Sequence, residues 1–293
     1  MVQDASTALT AGAKQKSAAK VAKAPSQLPA QLKGMAINFG WFLLSMSLLL
    51  LIWTVMCATF AKDLPTPLVT GKALFGMLAK PWYVNSDGTM GVGNLVFASL
   101  GRVFMGFGVA SLIAIPLGIV MGLTPWTKKV MDPIAAVMRP VSPLAWFPLC
   151  QVIFRVLGDG TTPMAIISTI GICCLWPTLM NTAFGVASLP EDYKTVSKVF
   201  QFSTGRFLTK VLLPYSLPHI LTGLRLSLGI AWLVIVAAEM LSGSSGIGFS
   251  AYDAYNNGRL DEMVSTIIVI GGVGLILDRG FDWLQNRFDH TKK

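Results

Sequence analysis

The sequence predicts an all-α membrane protein with six transmembrane helices. Of its 293 residues, 53% are hydrophobic and 13% are charged, whereas an ordinary soluble domain has ~25% charged residues. Six apolar stretches, about 38–60, 93–123, 133–157, 164–186, 214–242 and 263–285, each reach the ~20 residues that cross ~30 Å of hydrocarbon. The third observation is where the net charge of +9 falls. With six crossings and a cytoplasmic N-terminus, one side collects Lys14, Lys16, Lys20, Lys23, Lys33, Lys128, Lys129, Lys194, Lys198, Arg206, Lys210, Arg279, Arg287, Lys292 and Lys293. The other keeps only Lys62, Lys72, Lys80, Arg155 and Arg259, while Arg102, Arg139 and Arg225 fall within or at the edge of spans. The positive-inside rule then puts both termini in the cytoplasm. No basic domain is left for nucleic acid.

Taken in order, residues 1–36 are rich in Ala, Lys, Gln and Ser and lack side chains that would repay ordering. They read as a disordered basic tail. The motif Ala58-Thr-Phe-Ala61 resembles a signal cleavage site, but the apolar core before it is longer than the usual 7–15 residues, so the reading is an uncleaved first span. This span is aliphatic, with Trp41 and Trp53 suited to an interface, and the following loop to residue 92 contains "PTP" and Trp82-Tyr83. The second span carries Gly101, Gly106, Gly108, Gly118 and Gly122, a thin side for close packing, and Pro116. The third contains "RPVSPLAWFPL", whose prolines remove backbone donors. Irregular backbone at membrane depth is tolerated where protein or a water-filled cavity covers it, so this stretch is expected to line a cavity. Trp176-Pro177 in the fourth span and Gly271, Gly272 and Gly274 in the sixth repeat the theme weakly.

Between spans four and five, "PEDYKTVSKVFQFSTGRFLTKVLLP" is too charged to cross. Val196, Val199 and Phe200 share one helical face, and Phe207, Leu208, Val211 and Leu212 another, with the basic residues elsewhere. Ser203-Thr204-Gly205 supplies a break and a helix start. The expectation is two short surface helices joined by a turn, with Leu213-Pro214 marking where the second turns up into span five. A lipid-anchoring connector and a docking element for a soluble partner both fit this pattern.

The segment resembles the cytoplasmic coupling motif of binding-protein-dependent ABC importer permeases: Glu-Ala-Ala, three residues, Gly, nine residues, Ile-x-Leu-Pro. Counting back from Leu213-Pro214 places Val211 at Ile, Gln201 at Gly, and Thr195-Val196-Ser197 at Glu-Ala-Ala. "SLGRVFMGFGVASLIAIPLGIVMGL", "RPVSPLAWFPL", "LPHILTGLRLSLGIAWLVIVAAEML" and "GIGFSAYDA" are similar to permeases of the nitrate, bicarbonate, sulfonate and taurine importers, and the nitrate branch is favoured. The resemblance implies a type I (MetI-like) permease fold over 93–288, preceded by a first helix and outer loop over 37–92. It implies coupling through Thr195, Val196, Ser197, Gln201, Phe202, Gly205, Phe207, Val211, Leu213 and Pro214. It also implies a second permease copy, expected as a homodimer, two cytoplasmic ATP-binding subunits that hold ATP and Mg, and a periplasmic substrate-binding protein, all at a bacterial inner membrane. ATP closure of the partner pair would move residues 191–213 and switch the bundle.

The chain itself has no G-x-x-x-x-G-K-[ST] phosphate loop, and "SGSSGIG" lacks the lysine. Neither a catalytic constellation nor a metal site is read: Cys57, Cys150, Cys173 and Cys174 have no ligand spacing. An anion crossing hydrocarbon needs positive charge or donors in place of water. Arg102, Arg225 and Glu239 are the candidates for the pathway or gate, with Ser142, Trp146 and Gln151 as lining donors. Arg102 and Glu239 fall at similar depth at ~1.5 Å per residue and are expected to pair, either to fix the bundle or to gate it. An ion-coupled secondary transporter is the alternative of another class. It leaves the coupling-like segment unexplained and lacks broken helices in matching halves.

Overall fold

A computed structural model describes residues 28–86, 88–157 and 162–288. The described residues are helical, apart from turns and an isolated antiparallel bridge between Val84 and Met90. The chain divides into two units, residues 1–62 and 63–293.

The described part of the first unit is one helix, α1 (Leu28–Thr59). Its apolar side chains from Phe39 to Leu51 are exposed, as suits a span facing lipid all round. It starts ahead of the expected boundary near residue 38, because Gln, Leu, Lys, Met and Ala between 30 and 36 are good helix formers that extend a span already nucleated. The stretch 28–36 is therefore helical, and the remainder of the expected tail, 1–27, lies outside the described residues.

In the second unit the loop expected to 92 contains a helix of its own, α2 (Pro67–Ala79), with proline at its first turn. Ser265 Oγ donates to Thr70 O at 3.1 Å and holds α2 to the last helix. The following spans are α3 (Val92–Leu123), the pair α4 (Pro125–Met138) and α5 (Pro143–Val156), then α6 (Thr162–Ala187). Five helices among the described residues are long and apolar enough to cross a membrane. The α4–α5 pair makes a sixth if it counts as one broken span, bent by 101°. The bend has a local cause. Pro143 disfavours helical backbone in the residue before it, and Ser142 is extended (φ −61°, ψ 137°) and caps α5 by accepting Leu144 N at 3.3 Å, whereas Arg139 before Pro140 stays helical (φ −60°, ψ −43°).

Helices α3 and α6 run parallel in close contact because glycines remove the intervening side chains. A Cβ on Gly106 would lie 2.8 Å from Ile170 Cβ, one on Gly118 2.7 Å from Thr182 Cβ, and one on Gly122 2.6 Å from Val186 Cβ. Gly101 and Gly108, read from sequence as part of the same thin side, face open space. Antiparallel to α6 runs α9 (Leu213–Ser242). Their polar contact is buried and satisfied: Ser227 Oγ donates to Cys174 O at 2.6 Å, Cys174 Sγ donates to Ser227 O at 3.2 Å, and Thr178 lies 2.7 Å from Ser227. Trp232 Nε1, donating to Ile270 O at 3.0 Å, fastens α9 to α11 (Leu260–Phe288).

Before α9 come α7 (Glu191–Val199), the single turn α8 (Thr204–Phe207) and a π-helical turn over Leu208–Leu212. Here the expectation of a second surface helix that turns upward at Leu213-Pro214 is corrected. Residues 204–242 form one continuous helix, and Leu212 and Leu213 keep right-handed helical angles. Proline is compatible because Pro214 directly follows the wide π-helical turn over Leu208–Leu212, where the regular ladder is already interrupted and its missing N–H costs least. After α9 a turn leads into α10 (Ile247–Asn256), a short helix that the polar run after 242 gave no reason to expect.

Candidate functional site

Three polar groupings sit on this scaffold. The first lies where the N-terminal part of α3 meets the C-terminal end of α9. Glu239 is fully buried, and its carboxylate is met by three groups. Ser99, one turn before Arg102 on α3, approaches both oxygens at 2.7 and 2.9 Å. Arg102 Nη1 donates to Oε1 at 2.7 Å, and Gly248 N donates to Oε2 at 3.0 Å. Arg102 Nη1 also donates to Ser245 O at 2.8 Å, and Ile247 N donates to Ser99 Oγ at 3.1 Å. One buried carboxylate thus joins α3, α9, the 243–246 turn and the start of α10. The expected Arg102–Glu239 pair is present. Ser99 and the Gly248 amide had no sequence signature, since a serine one turn away and a backbone N–H look like any others.

The second grouping joins α9 to α11. Arg225 Nε and Nη2 donate to the two oxygens of Asp278 at 2.9 and 3.0 Å, and Nη1 donates to Asp282 at 2.6 Å. Asp278 and Asp282 are four residues apart, hence on one helical face. Arg225 is therefore a braced cation. The 53-residue separation hid the pair from a linear reading, though two acids at this spacing on the last span were the available signal.

The third is a cavity of about 820 Å³ at the α4–α5 break, lined by Arg139, Ser142, Trp146, Cys173, Trp176 and apolar residues of α9 including Ile230 and Leu233. Of the lining donors expected from sequence, Ser142 and Trp146 meet here. Gln151, half-buried on α5, does not line it, and neither do Arg102, Arg225 or Glu239.

The segment before α9 builds a different surface. Gln201, at the position of the motif's glycine, has φ 50°, the left-handed region that favours glycine. The chain reverses there, between α7 and α8. Ser203 then caps α8, accepting Arg206 N at 3.4 Å. Gly205, a candidate for the turn by sequence, lies inside α8. Ser197 is buried and donates to Tyr193 O. Together with Phe202, Phe207, Thr204, Lys194 and Lys198 it lines a cleft of about 260 Å³. Arg206 lies over the Phe202 ring, 5.8 Å from its centroid. Lys194, 2.9 Å from Glu191, holds that carboxyl below its ordinary range through the hydrogen bond and its charge. Thr195, Val196, Gln201 and Leu213 are exposed, Val211 is half-buried, and Leu212 packs inward with Val186 and Leu189. The result is an amphipathic, basic and largely unpartnered face, anchored to the bundle by Phe207 and Leu212.

Comparison with known proteins agrees with this architecture. Residues 114–291 match the family described as binding-protein-dependent transport system inner membrane component. The chain is 37% identical over 242 residues to the nitrate import permease protein NrtB of Synechocystis, covering 83% of this chain and 86% of that one. It is 40% identical over 239 residues to the bicarbonate transport system permease protein CmpB of Synechococcus elongatus, covering 80% and 84%. In fold it is similar to a chain of the MetNI methionine ABC transporter in inward-facing conformations, with a TM-score of 0.60 at 15% identity over 68% of this chain and 96% of that one. A family match over more than half its length, with relatives of this identity and coverage, places the chain in the binding-protein-dependent transport system inner membrane component family, the permease subunits of ABC importers.

Proposed function

We propose that the chain is the permease of an ATP-driven importer that moves a small inorganic oxyanion, nitrate together with nitrite, from the periplasm to the cytoplasm. The observation that carries this reading is the 37% identity to a nitrate import permease, sustained over 83% of the chain. Bicarbonate is the second reading, favoured by the 40% identity to a bicarbonate permease over 80% of the chain. Both anions are planar, singly charged and small.

In this reading the 93–288 domain pairs with a second copy, and two cytoplasmic ATP-binding subunits seat against the face formed by residues 191–213. A periplasmic binding protein delivers the anion at the opposite end, and both termini are cytoplasmic. The left-handed turn at Gln201 supports the docking role, because it preserves the geometry the motif's glycine would give. Closure of the ATP-binding pair would move α7 and α8. That motion enters α9 without a joint, since 204–242 is one helix. The Ser99–Arg102–Glu239 grouping acts as a clamp on the 243–248 turn, because the Ser99 hydroxyl, Arg102 Nη1 and the Gly248 amide are already engaged by protein acceptors. Uptake of micromolar nitrate and of bicarbonate by intact cells, with and without the gene, tests the reading. Loss of nitrate uptake restored by the gene supports it, loss of bicarbonate uptake alone moves the substrate, and no loss of either overturns it.

A further inference from the structure

We infer that the cavity at the α4–α5 break is a hydrated anion-holding site, in which the Arg139 guanidinium, the Ser142 hydroxyl and the indole N–H of Trp146 take a small oxyanion on its way through the protein. The inference rests on the oxyanion-importer reading for the identity of the ligand, and on the cavity alone for the site.

Charge gives the first argument. An arginine within a span is costly and is ordinarily paired. Arg102 has Glu239, and Arg225 has Asp278 and Asp282. Arg139, exposed at the break where it caps α4, has no ion pair or hydrogen-bonded acceptor among the described residues, and no carboxylate lines the cavity it borders. It also lies 14 residues past Pro125, a path of up to ~21 Å along a helix that begins beside Lys128 and Lys129.

Hydrogen bonding gives the second. Ser142 Oγ accepts the Leu144 amide, which leaves its proton to donate into the cavity. The indole of Trp146 faces the same space. The charged group among the lining residues is the Arg139 guanidinium, with no carboxylate beside it, which suits an oxyanion.

Volume gives the third. Liquid water takes about 30 Å³ per molecule, so a cavity of about 820 Å³ holds a small anion with much of its hydration. The apolar walls supplied by Ile230, Leu233 and Val234 offer no further polar grip. Binding is then weak, as conduction requires of a site that must release what it takes.

Site-directed thiol labelling of the assembled transporter tests the site. In a Cys173→Ser background, Ser142→Cys is treated with an anionic and a cationic methanethiosulfonate reagent. The expected result is that the anionic reagent gains about tenfold over the cationic one, relative to their rates with free thiol, through the local field. Millimolar nitrate or bicarbonate slows that labelling, Arg139→Gln removes both effects, and Arg139→Lys retains them. Equal relative rates with no protection by either anion would overturn the site. So would absence of labelling at position 142 and also at position 237 in an Ala237→Cys variant on the facing wall, because lipid or the second copy would then fill the cavity. Ala237→Cys also serves if Ser142→Cys fails to assemble. Charge selectivity in labelling combined with unchanged nitrate and bicarbonate uptake on gene deletion would leave the site standing and remove the importer reading, so the two fail separately.

Discussion

Gly246 stands directly over the carboxylate of Glu239, so close that a Cβ on the glycine would overlap the carboxyl group. Its backbone is extended, with φ 171° and ψ 171°, a conformation open to any residue, so the constraint is space alone. Gly246→Ala must push Glu239 away from Ser99, Arg102 and Gly248, and overpacking of this kind costs about 1–3 kcal/mol. Gly243 is the converse case: its φ is 65° and nothing lies within 4 Å of its missing Cβ, so Gly243→Ala costs only the backbone strain, about 1–2 kcal/mol. Thermal unfolding of the purified permease, with uptake measured in parallel, separates them. Gly246→Ala should lose both stability and transport, whereas Gly243→Ala keeps transport. Loss of transport from both would point to the turn itself instead of the carboxylate beneath it.

The same grouping predicts a non-additive pair of substitutions. Arg102→Met leaves a fully buried carboxylate without its cation, which costs about 3–5 kcal/mol. Arg102→Met with Glu239→Leu removes both charges, and apolar replacement of a buried pair is often neutral. If the pair is a clamp, the double variant should recover most of the stability and a measurable share of uptake. Recovered stability with uptake still abolished would instead make the charges part of the transport step.

Gln201 carries a testable strain. A non-glycine residue in the left-handed region costs about 1–2 kcal/mol, so Gln201→Gly should stabilise the permease by about 1 kcal/mol with uptake unchanged. Gln201→Val adds β-branching to the same backbone and should lower both stability and ATP hydrolysis coupled to uptake. An unaltered unfolding midpoint in both variants would show that the turn relaxes without cost.

The spans were legible because a hydrophobic run of span length has few other meanings, and prolines at 140 and 143 announced the break in the third. The angle of that break was not legible, since proline removes helical options without choosing among the rest. Arg102 and Glu239 could be matched by counting depth along two helices. Arg225 could not be matched to Asp278 and Asp282, because the register between α9 and α11 is set by packing at Trp232 and Gly274. The glycine stripe was half right for the same reason: Gly106, Gly118 and Gly122 meet α6 while Gly101 and Gly108 do not, and only the three-dimensional partner decides which face is used.

That division gives a fourth prediction. Gly118→Ala drives a methyl group into Thr182 and the Leu179 carbonyl, at 2.7 and 2.8 Å, and should cost about 1–3 kcal/mol. Gly108→Ala meets nothing and replaces the poorest unstrained helix former with the best, gaining up to about 1 kcal/mol. Opposite shifts in the detergent unfolding midpoint are expected, and shifts of the same sign would mean that α3 is not seated on α6 through this stripe.

The π-helical turn over Leu208–Leu212 controls how the coupling segment is aimed. Leu213 N bonds Leu208 O, five residues back, where a regular α-helix would use Thr209 O. The next residue, Pro214, has no N–H to give, so the ladder tolerates a wide turn here at little extra cost. A π-turn is in effect one residue inserted into an α-helix. Removing Thr209 should restore the regular ladder and turn everything before it by about 100° around the axis of α9, with a shift of about 1.5 Å. The cleft lined by Lys194, Ser197, Phe202 and Phe207 would then face a different direction. The deletion is expected to reach the membrane and to bind the anion as before, but to lose ATP hydrolysis stimulated by the loaded binding protein. Thr209→Ala is the control, since the exposed hydroxyl bonds only Gly205 O within its own helix at 2.8 Å. If the deletion keeps both stimulated hydrolysis and uptake, the wide turn merely accommodates Pro214 and sets no aim.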